Sequence, residues 1–453
     1  MKFTRIATVA ALSSLALALT SCAPPGEGLA PPPQDSASPA AVNTDVASLG
    51  DVTLTLWDSE TLEGQSAQFT KLLADFHTKY PNITIDRVAQ SFTDMKVTLP
   101  MALSDPNPPD VVQANNGRND MGAFVSSGLL TDLAPYAAAY GWTQRYPQTV
   151  LKNSTYSADG KVFGEGNLYG ISQMGELVGI YYNKAKLAKL GLQLPQTWAD
   201  YEAALKTAKD KGEVPLMFGN SEGWPAGQVL GEVLGAYAPA DQITTLDMGN
   251  PGASWNTPDT LKAVTTLQSW VKAGYFNAGV NGMTDEAAAT AFAKGKGVFY
   301  MAGTWQVALL DGLDSGGIGF IAPPPVQAGG PVATLGGASQ PYAIPANAKH
   351  KDAAAAFIDY ITSDDAMKVL ADTGNIPVVG ADKLATGDSL LAQASKAFGE
   401  VSTKGTLLPY LDWSTPTFND DVLVPRLQDL FAGKIDAQGV IDAFQENYAA
   451  FAQ

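Results

Sequence analysis

The chain has 453 residues, with 45 acidic against 28 basic side chains, two histidines and one cysteine. A formal charge of −17 argues against a nucleic-acid binder, which concentrates positive charge, and it leaves no basic face for an anionic lipid surface. A single cysteine excludes an internal disulfide and a thiolate metal centre.

The first elements in the chain are those of export. Met1, Lys2 and Arg5 precede an apolar run from Ile6 to Leu19, followed by Thr20-Ser21-Cys22. A short basic stretch, an apolar core and small residues before a cut site describe a secretory signal. The run falls short of the ~20 residues a membrane span needs. Leu19-Thr-Ser-Cys22 resembles the bacterial lipobox, which implies removal of residues 1–21 and lipidation of Cys22. Residues 22–50 are rich in Pro, Ala, Ser and Gly and carry no aromatic. Such a segment buries too little to offset its ordering entropy and is expected to act as the linker of a lipid anchor.

The remaining roughly 400 residues exceed what one core holds, so two lobes are expected. Val52-Thr-Leu-Thr-Leu56 alternates as a strand and breaks at Trp57-Asp58-Ser59. Phe69, Leu72, Leu73, Phe76 and Tyr80 then repeat at helical spacing on one face. Pro81-Asn82 stops that helix, Ile83-Thr-Ile85 starts a second strand running toward Gln90-Ser91-Phe92, and a further helix reaches Leu103. After Asp105-Pro-Asn-Pro-Pro109 comes a third strand, Asp110–Ala114, followed by Asn115-Asn116-Gly117. Strands alternating with helices predict an α/β fold with mostly parallel sheets. Ligands of such sheets bind beyond the carboxyl ends of the strands, where Trp57, Asp58, Gln90, Asn115 and Asn116 fall.

Two enzyme signatures are missing: no His-Glu-x-x-His and no Gly-x-x-x-x-Gly-Lys occurs. His77 sits beside the apolar stripe of the first helix and His350 lies in Ala348-Lys-His-Lys351, and both are read as solvated. No metal site or cofactor is expected, and a glycosidase stays open only because it needs no more than two carboxylates. Of the eight tryptophans, Trp198 and Trp270 lie in helical patterns and are assigned to packing. Trp57, Trp224, Trp255, Trp305 and Trp413 lie among Asp, Asn, Ser, Gly and Pro, where loops present side chains. An indole face stacks on the C–H face of a pyranose while neighbouring amides and carboxylates take its hydroxyls, as a small-molecule pocket requires.

Tyr169-Gly-Ile171, Gly179-Ile-Tyr-Tyr-Asn-Lys184 and Gln196-Thr-Trp-Ala-Asp-Tyr201, then Phe292–Val298, Gly303-Thr-Trp305, Gly336-Gly337, Ala343-Ile-Pro345 and Gly374-Asn-Ile-Pro377 resemble the family 1 extracellular solute-binding proteins of carbohydrate-uptake ABC importers. The resemblance covers the chain from residue 51 to its end, and the tyrosine-asparagine-lysine block is its most specific segment. It implies a two-lobed periplasmic-binding-protein fold, each lobe a mostly parallel sheet flanked by helices, with ligand held in a cleft between the lobes and no catalysis. On that template, residues 51–168 and 319–362 form the first lobe and 169–318 with 363–453 the second. The crossings would then be Tyr169-Gly-Ile171 and Gly317-Ile-Gly-Phe320. The implied partners are an oligosaccharide, the permease and ATPase subunits of the importer, and the outer face of the cytoplasmic membrane reached through the lipid; a monomer without nucleic acid is expected.

The resemblance also suggests roles for particular residues. Trp305 matches the place where many members present an aromatic to the sugar. Trp57-Asp58 and Asn115-Asn116 match loops of the first lobe, and Gln173 and Glu176 follow the first crossing. Trp224 matches a stacking position of the second lobe, and Asp412-Trp413 a C-terminal loop. Gly336-Gly337 would let backbone approach the ligand closely, and Trp255 could equally mark a helix entry. A receptor for a peptide, polyamine or metal chelate, and a surface glycoside hydrolase, remain the alternatives.

Overall fold

The computed structural model describes residues 42–452 apart from 314, 315 and 385; Cys22 and the preceding signal lie outside them. No helix among the described residues is long and apolar enough to cross a membrane. The first sheet is built as the alternation predicts. Strand β1 (Val52–Asp58) buries Val52, Leu54 and Leu56, and helix α1 (Glu63–Lys79) covers it with Phe69, Leu72 and Phe76. Strand β2 (Ile83–Ala89) then pairs with β1 in parallel, from Val52 opposite Ile83 to Asp58 opposite Ala89. Helix α2 (Phe92–Leu103) starts where the Ser91 hydroxyl accepts the Asp94 amide at 3.1 Å, which satisfies one of its free N–H groups. Strand β3 (Val111–Gln113) completes the parallel set on the other side of β1. A short antiparallel strand, Tyr342–Ala343, closes the edge.

The second sheet centres on β4 (Gly175–Asn183). It is joined by β5 (Leu216–Met217), β6 (Phe299–Gly303), β7 (Ile318–Ile321), β8 (Ala333–Ala338) and β9 (Thr406–Leu408). Strand β4 runs antiparallel to β6, β7 and β8, whereas β5–β6 and β8–β9 are parallel. This sheet is therefore mixed rather than mostly parallel, because its central strand enters directly from the first lobe and not through a βαβ unit. Helix α3 (Trp224–Gly235), helix α4 (Asp285–Ala293) and the buried pair Trp198 and Trp270, whose rings stack at 6.1 Å, flank it.

Between the sheets the chain crosses three times. Ile171 and Tyr342 exchange backbone hydrogen bonds of 3.0 and 2.9 Å, and Ser339 N–H donates to Met174 at 2.9 Å. On the other side, Gly175 N–H donates to Ile376 at 2.9 Å and Val378 N–H to Gln173 at 3.2 Å. The expected second crossing at Gly317–Phe320 is instead strand β7 of the second sheet. Its Gly319 is small because the Tyr182 ring lies over it: a Cβ there would come within 2.2 Å of the ring. The crossing comes after β8, and helix α5 (Asp364–Asp372) returns to the first lobe, packing Ala366, Met367, Val369 and Leu370 into its core. The linker also ends earlier than expected. Val46 is buried, Val42 and Leu49 pack on the first core, and the Asn82 side chain donates to the Val46 and Gly50 carbonyls at 3.0 and 2.9 Å.

Gly336 and Gly337 serve the fold. They pair with Leu177 and Glu176, Gly336 has φ +156°, and a Cβ on it would lie 2.4 Å from the Glu176 carbonyl. Gly336→Ala is expected to cost about 1–3 kcal/mol, seen as a Tm several degrees lower; an unchanged Tm would contradict this account of the glycine.

Glu232 of α3 ties that helix to β8, accepting from the Thr334 hydroxyl at 2.8 Å and the Leu335 amide at 2.9 Å. Burial pushes its carboxyl from the ordinary 4.5 up to about 8. Between those values the folded chain keeps a proton that the unfolded chain has lost, so this group makes stability fall as pH rises through that window. Glu232→Gln keeps the shape of the neutral acid and is expected to flatten the decline. Parallel thermal melts at about pH 5 and about pH 8 should give the variant a smaller loss of Tm than the parent, and equal losses would count against it.

Candidate ligand cleft

A cleft of ~660 Å³ opens between the two lobes, beyond the carboxyl ends of β1 and β3 and of β6. The first lobe contributes Glu60, Thr61 and Leu62 just after β1, Gln65 of α1, Phe92 and Lys96 of α2, and Asn115 just after β3. The second contributes Glu176 of β4, the start of α3 at Trp224, the start of α4 at Asp285-Glu286, and the turn Thr304–Gln306 after β6. The segment Tyr410–Trp413 after β9 also lines it. Ser339 and Gln340, on the crossing itself, complete the lining.

Two indoles form the aromatic wall. Trp224 and Trp305 are both half-buried, with ring centroids 5.9 Å apart and planes at 70°. Trp305 can turn back over its own strand because residue 303 is glycine, where a Cβ would lie 2.0 Å from the indole. Trp413 also borders the cleft, yet it is only 2% exposed. Its ring packs 5.7 Å from Phe163 and 5.5 Å from Tyr410, so half-buried Tyr410 is the more available ring there.

The polar groups are mainly acids. Tyr410 donates its hydroxyl to Glu176 Oε1 at 3.0 Å, but burial still lifts the Glu176 carboxyl to about 7. Burial likewise lifts Asp412 to about 6. Asp285 accepts from the Tyr300 hydroxyl and from Gln306 Nε2, the latter at 2.8 Å; burial nevertheless raises it to about 6. Glu60 is lifted furthest, to about 8, by burial that outweighs the hydrogen bond from Gln113. At neutral pH the cleft therefore holds carboxyl groups in both protonation states, able to donate as well as accept.

Of the residues expected from sequence, Asn115, Glu176, Trp224, Trp305, Asp412 and Trp413 line this cleft. The others lie elsewhere for identifiable reasons. Asp58 is fully buried at the end of β1, bonded to Arg87 Nε and Nη2 at 2.7 and 2.6 Å. The strand's alternation turns Trp57 the other way, onto the cluster beneath α2. Gln90 accepts from Thr98 at 2.8 Å at the start of α2. Asn116 donates to the carbonyls of Ala338 and Ser339 at 3.3 and 3.4 Å, and Gln173 donates to Ile361 at 2.7 Å; both brace the crossing. Gly336 and Gly337 are in the strand pairing already described. Trp255 does mark a helix entry: Thr257 caps the helix Pro258–Ala273, while the ring stacks on Phe418 in the second core.

Sequence reasoning missed Glu60, Glu222, Tyr410 and the pair Asp285-Glu286. Three of them lie within two residues of a position already singled out: Glu60 after Asp58, Glu222 before Trp224, and Tyr410 before Asp412. Asp285 and Glu286 carried no such signal, since acids in a first helical turn are ordinary complements to the helix dipole.

The chain matches the model of the bacterial extracellular solute-binding protein family over residues 60–368. A multiple sugar-binding protein of Streptococcus mutans is 26% identical over 324 residues, spanning 69% of this chain and 72% of that protein. Among solved structures, a chitin oligosaccharide binding protein superposes with a TM-score of 0.75 at 22% identity, covering 88% of this chain and 99% of its own. The solute-binding protein RafE in complex with raffinose superposes with a TM-score of 0.69 at 19% identity, covering 89% and 100%. These likenesses carry the two-lobed fold, and the extent of the family match carries the assignment: the chain belongs to the bacterial extracellular solute-binding proteins, a family that binds solutes and does not transform them.

Proposed function

We propose that this chain is the capture component of an ABC importer, binding an oligosaccharide between its lobes and presenting the closed, loaded form to the permease. The observation that carries the reading is the composition of the cleft. Half-buried Trp224 and Trp305 stand in one wall, with carboxyl and amide groups from both lobes around them. Apolar platforms beside converging polar groups suit the two faces of a pyranose. A cleft of ~660 Å³ exceeds the need of one hexose, which favours a short chain of sugars. The sugar-related names of the relatives point the same way.

Contacts to both lobes would make ligand stabilise the closed form by its differential affinity for that form, with the crossing ribbon taking up the change. On this reading lipid on Cys22 tethers a monomeric receptor to the outer face of the cytoplasmic membrane.

Thermal-shift and calorimetric screening of the full chain against neutral oligosaccharides is expected to find a binder. At 100 times its Kd it adds about 2.7 kcal/mol and is recovered intact. A peptide as the tightest ligand, or sugar cleaved during the assay, would overturn the reading. Trp305→Ala and Trp224→Ala should each weaken that sugar by about 10- to 100-fold, or ~1.4–2.8 kcal/mol, with little change in the melting of the free protein. Trp255→Ala should instead cost about 3–5 kcal/mol of stability. An affinity insensitive to both cleft tryptophans would remove the stacking role.

A further inference from the structure

The lobe-two end of the cleft is chemically one-sided. Seven carboxyl side chains line the cleft and a single cation, Lys96, does so. Its amine lies 3.6 Å from Asp420, on the other side of the opening. At the lobe-two end Glu222, Asp285 and Glu286 meet no cation within ion-pair distance among the described residues. Both Glu222 oxygens lie 3.3 Å from the Asp285 amide and Oε2 also accepts from the Ser221 hydroxyl at 2.9 Å, which still leaves lone pairs of the carboxylate free.

A second observation is independent of these acids. Gln306, which lines the same end, is 3% exposed and spends its Nε2 on Asp285 Oδ2 at 2.8 Å. Its Oε1 has no partner among the described residues. A buried acceptor left open beside carboxylates calls for a donor. The remaining wall is the Trp224–Trp305 pair, whose π-faces attract cations.

A hydroxyl both donates and accepts, whereas an ammonium carries three donors and no acceptor. A wall of acceptors and indole faces therefore matches the ammonium better. Carboxylates arranged for a metal ion would be the competing explanation, but no group of three or more suited to one occurs among the described residues. We propose that this end of the cleft is a subsite for a protonated amino sugar, so that the captured oligosaccharide carries at least one free amine. The proposal rests on the carbohydrate reading above and specifies its substrate class.

The test is calorimetry of the full chain at neutral pH with two trimers of one backbone, cellotriose and the glucosamine trimer, and with spermidine as an amine that is not a sugar. The glucosamine trimer is expected to bind at least about tenfold tighter than cellotriose, ~1.4 kcal/mol. Glu222→Gln and Asp285→Asn should each shrink that ratio, the first at a half-buried position outside the core. Equal or tighter binding of cellotriose overturns the amine subsite and leaves the carbohydrate reading standing. Spermidine binding with neither trimer bound overturns both. A preference for the amine that neither variant reduces overturns the location.

Discussion

Everything in this molecule hangs on a ribbon of three crossing segments. Residues 171–175 run between Ser339–Tyr342 on one side and Ile376–Val378 on the other, joined by backbone hydrogen bonds of 2.9–3.2 Å. Each sheet carries its own core, and a further buried cluster joins the lobes, packing Met95, Phe124 and Phe163 of the first with Met248 and Trp413 of the second. The polar side chains that brace it are buried: Gln173 bonds to Gln68 at 3.1 Å and to Ile361, and Asn116 reaches the carbonyls at 338 and 339. Paired strands hold their register, since slipping by one residue would turn every side chain to the wrong face.

The same arrangement sets the electrostatics. Bringing two lobes together withdraws carboxyl groups from water, and burial is the leading cause of the raised values at Glu60, Glu176, Asp285 and Asp412. A ligand that entered and excluded more water would make each remaining charge dearer unless it supplied donors of its own. Sugar hydroxyls supply them, and an ammonium supplies more. On the proposed reading a donor-rich guest would satisfy these carboxyl groups, which links the packing of the cleft to the kind of solute proposed.

The local pattern was legible in sequence where a short range decides it. Phe69, Leu72 and Phe76 at helical spacing and the alternation of Val52, Leu54 and Leu56 gave α1 and β1, and both faces are buried as read. Trp224 and Trp305 were recognisable from polar, glycine-bearing surroundings. What the sequence hid is what distant segments decide. Trp255 sits in an equally polar stretch, but Phe418 and Phe444, more than 160 residues on, cover it. Asp58 looked like a loop acid and is instead neutralised by Arg87 on the neighbouring strand. The small residues of Gly317–Phe320 suggested a crossing, whereas Gly319 is small to accommodate the Tyr182 ring.

The central claim is that one solute is held by both lobes at once. The most direct measurement is a crystal structure of the chain grown with the tightest oligosaccharide of the screen. The account predicts the sugar with a ring against Trp305 or Trp224 and hydroxyl or amine groups on Glu222 and Asp285. From the other side, Gln65, Asn115 or Glu60 should touch the same molecule. Sugar bound to one lobe only, or outside the cleft, would contradict it.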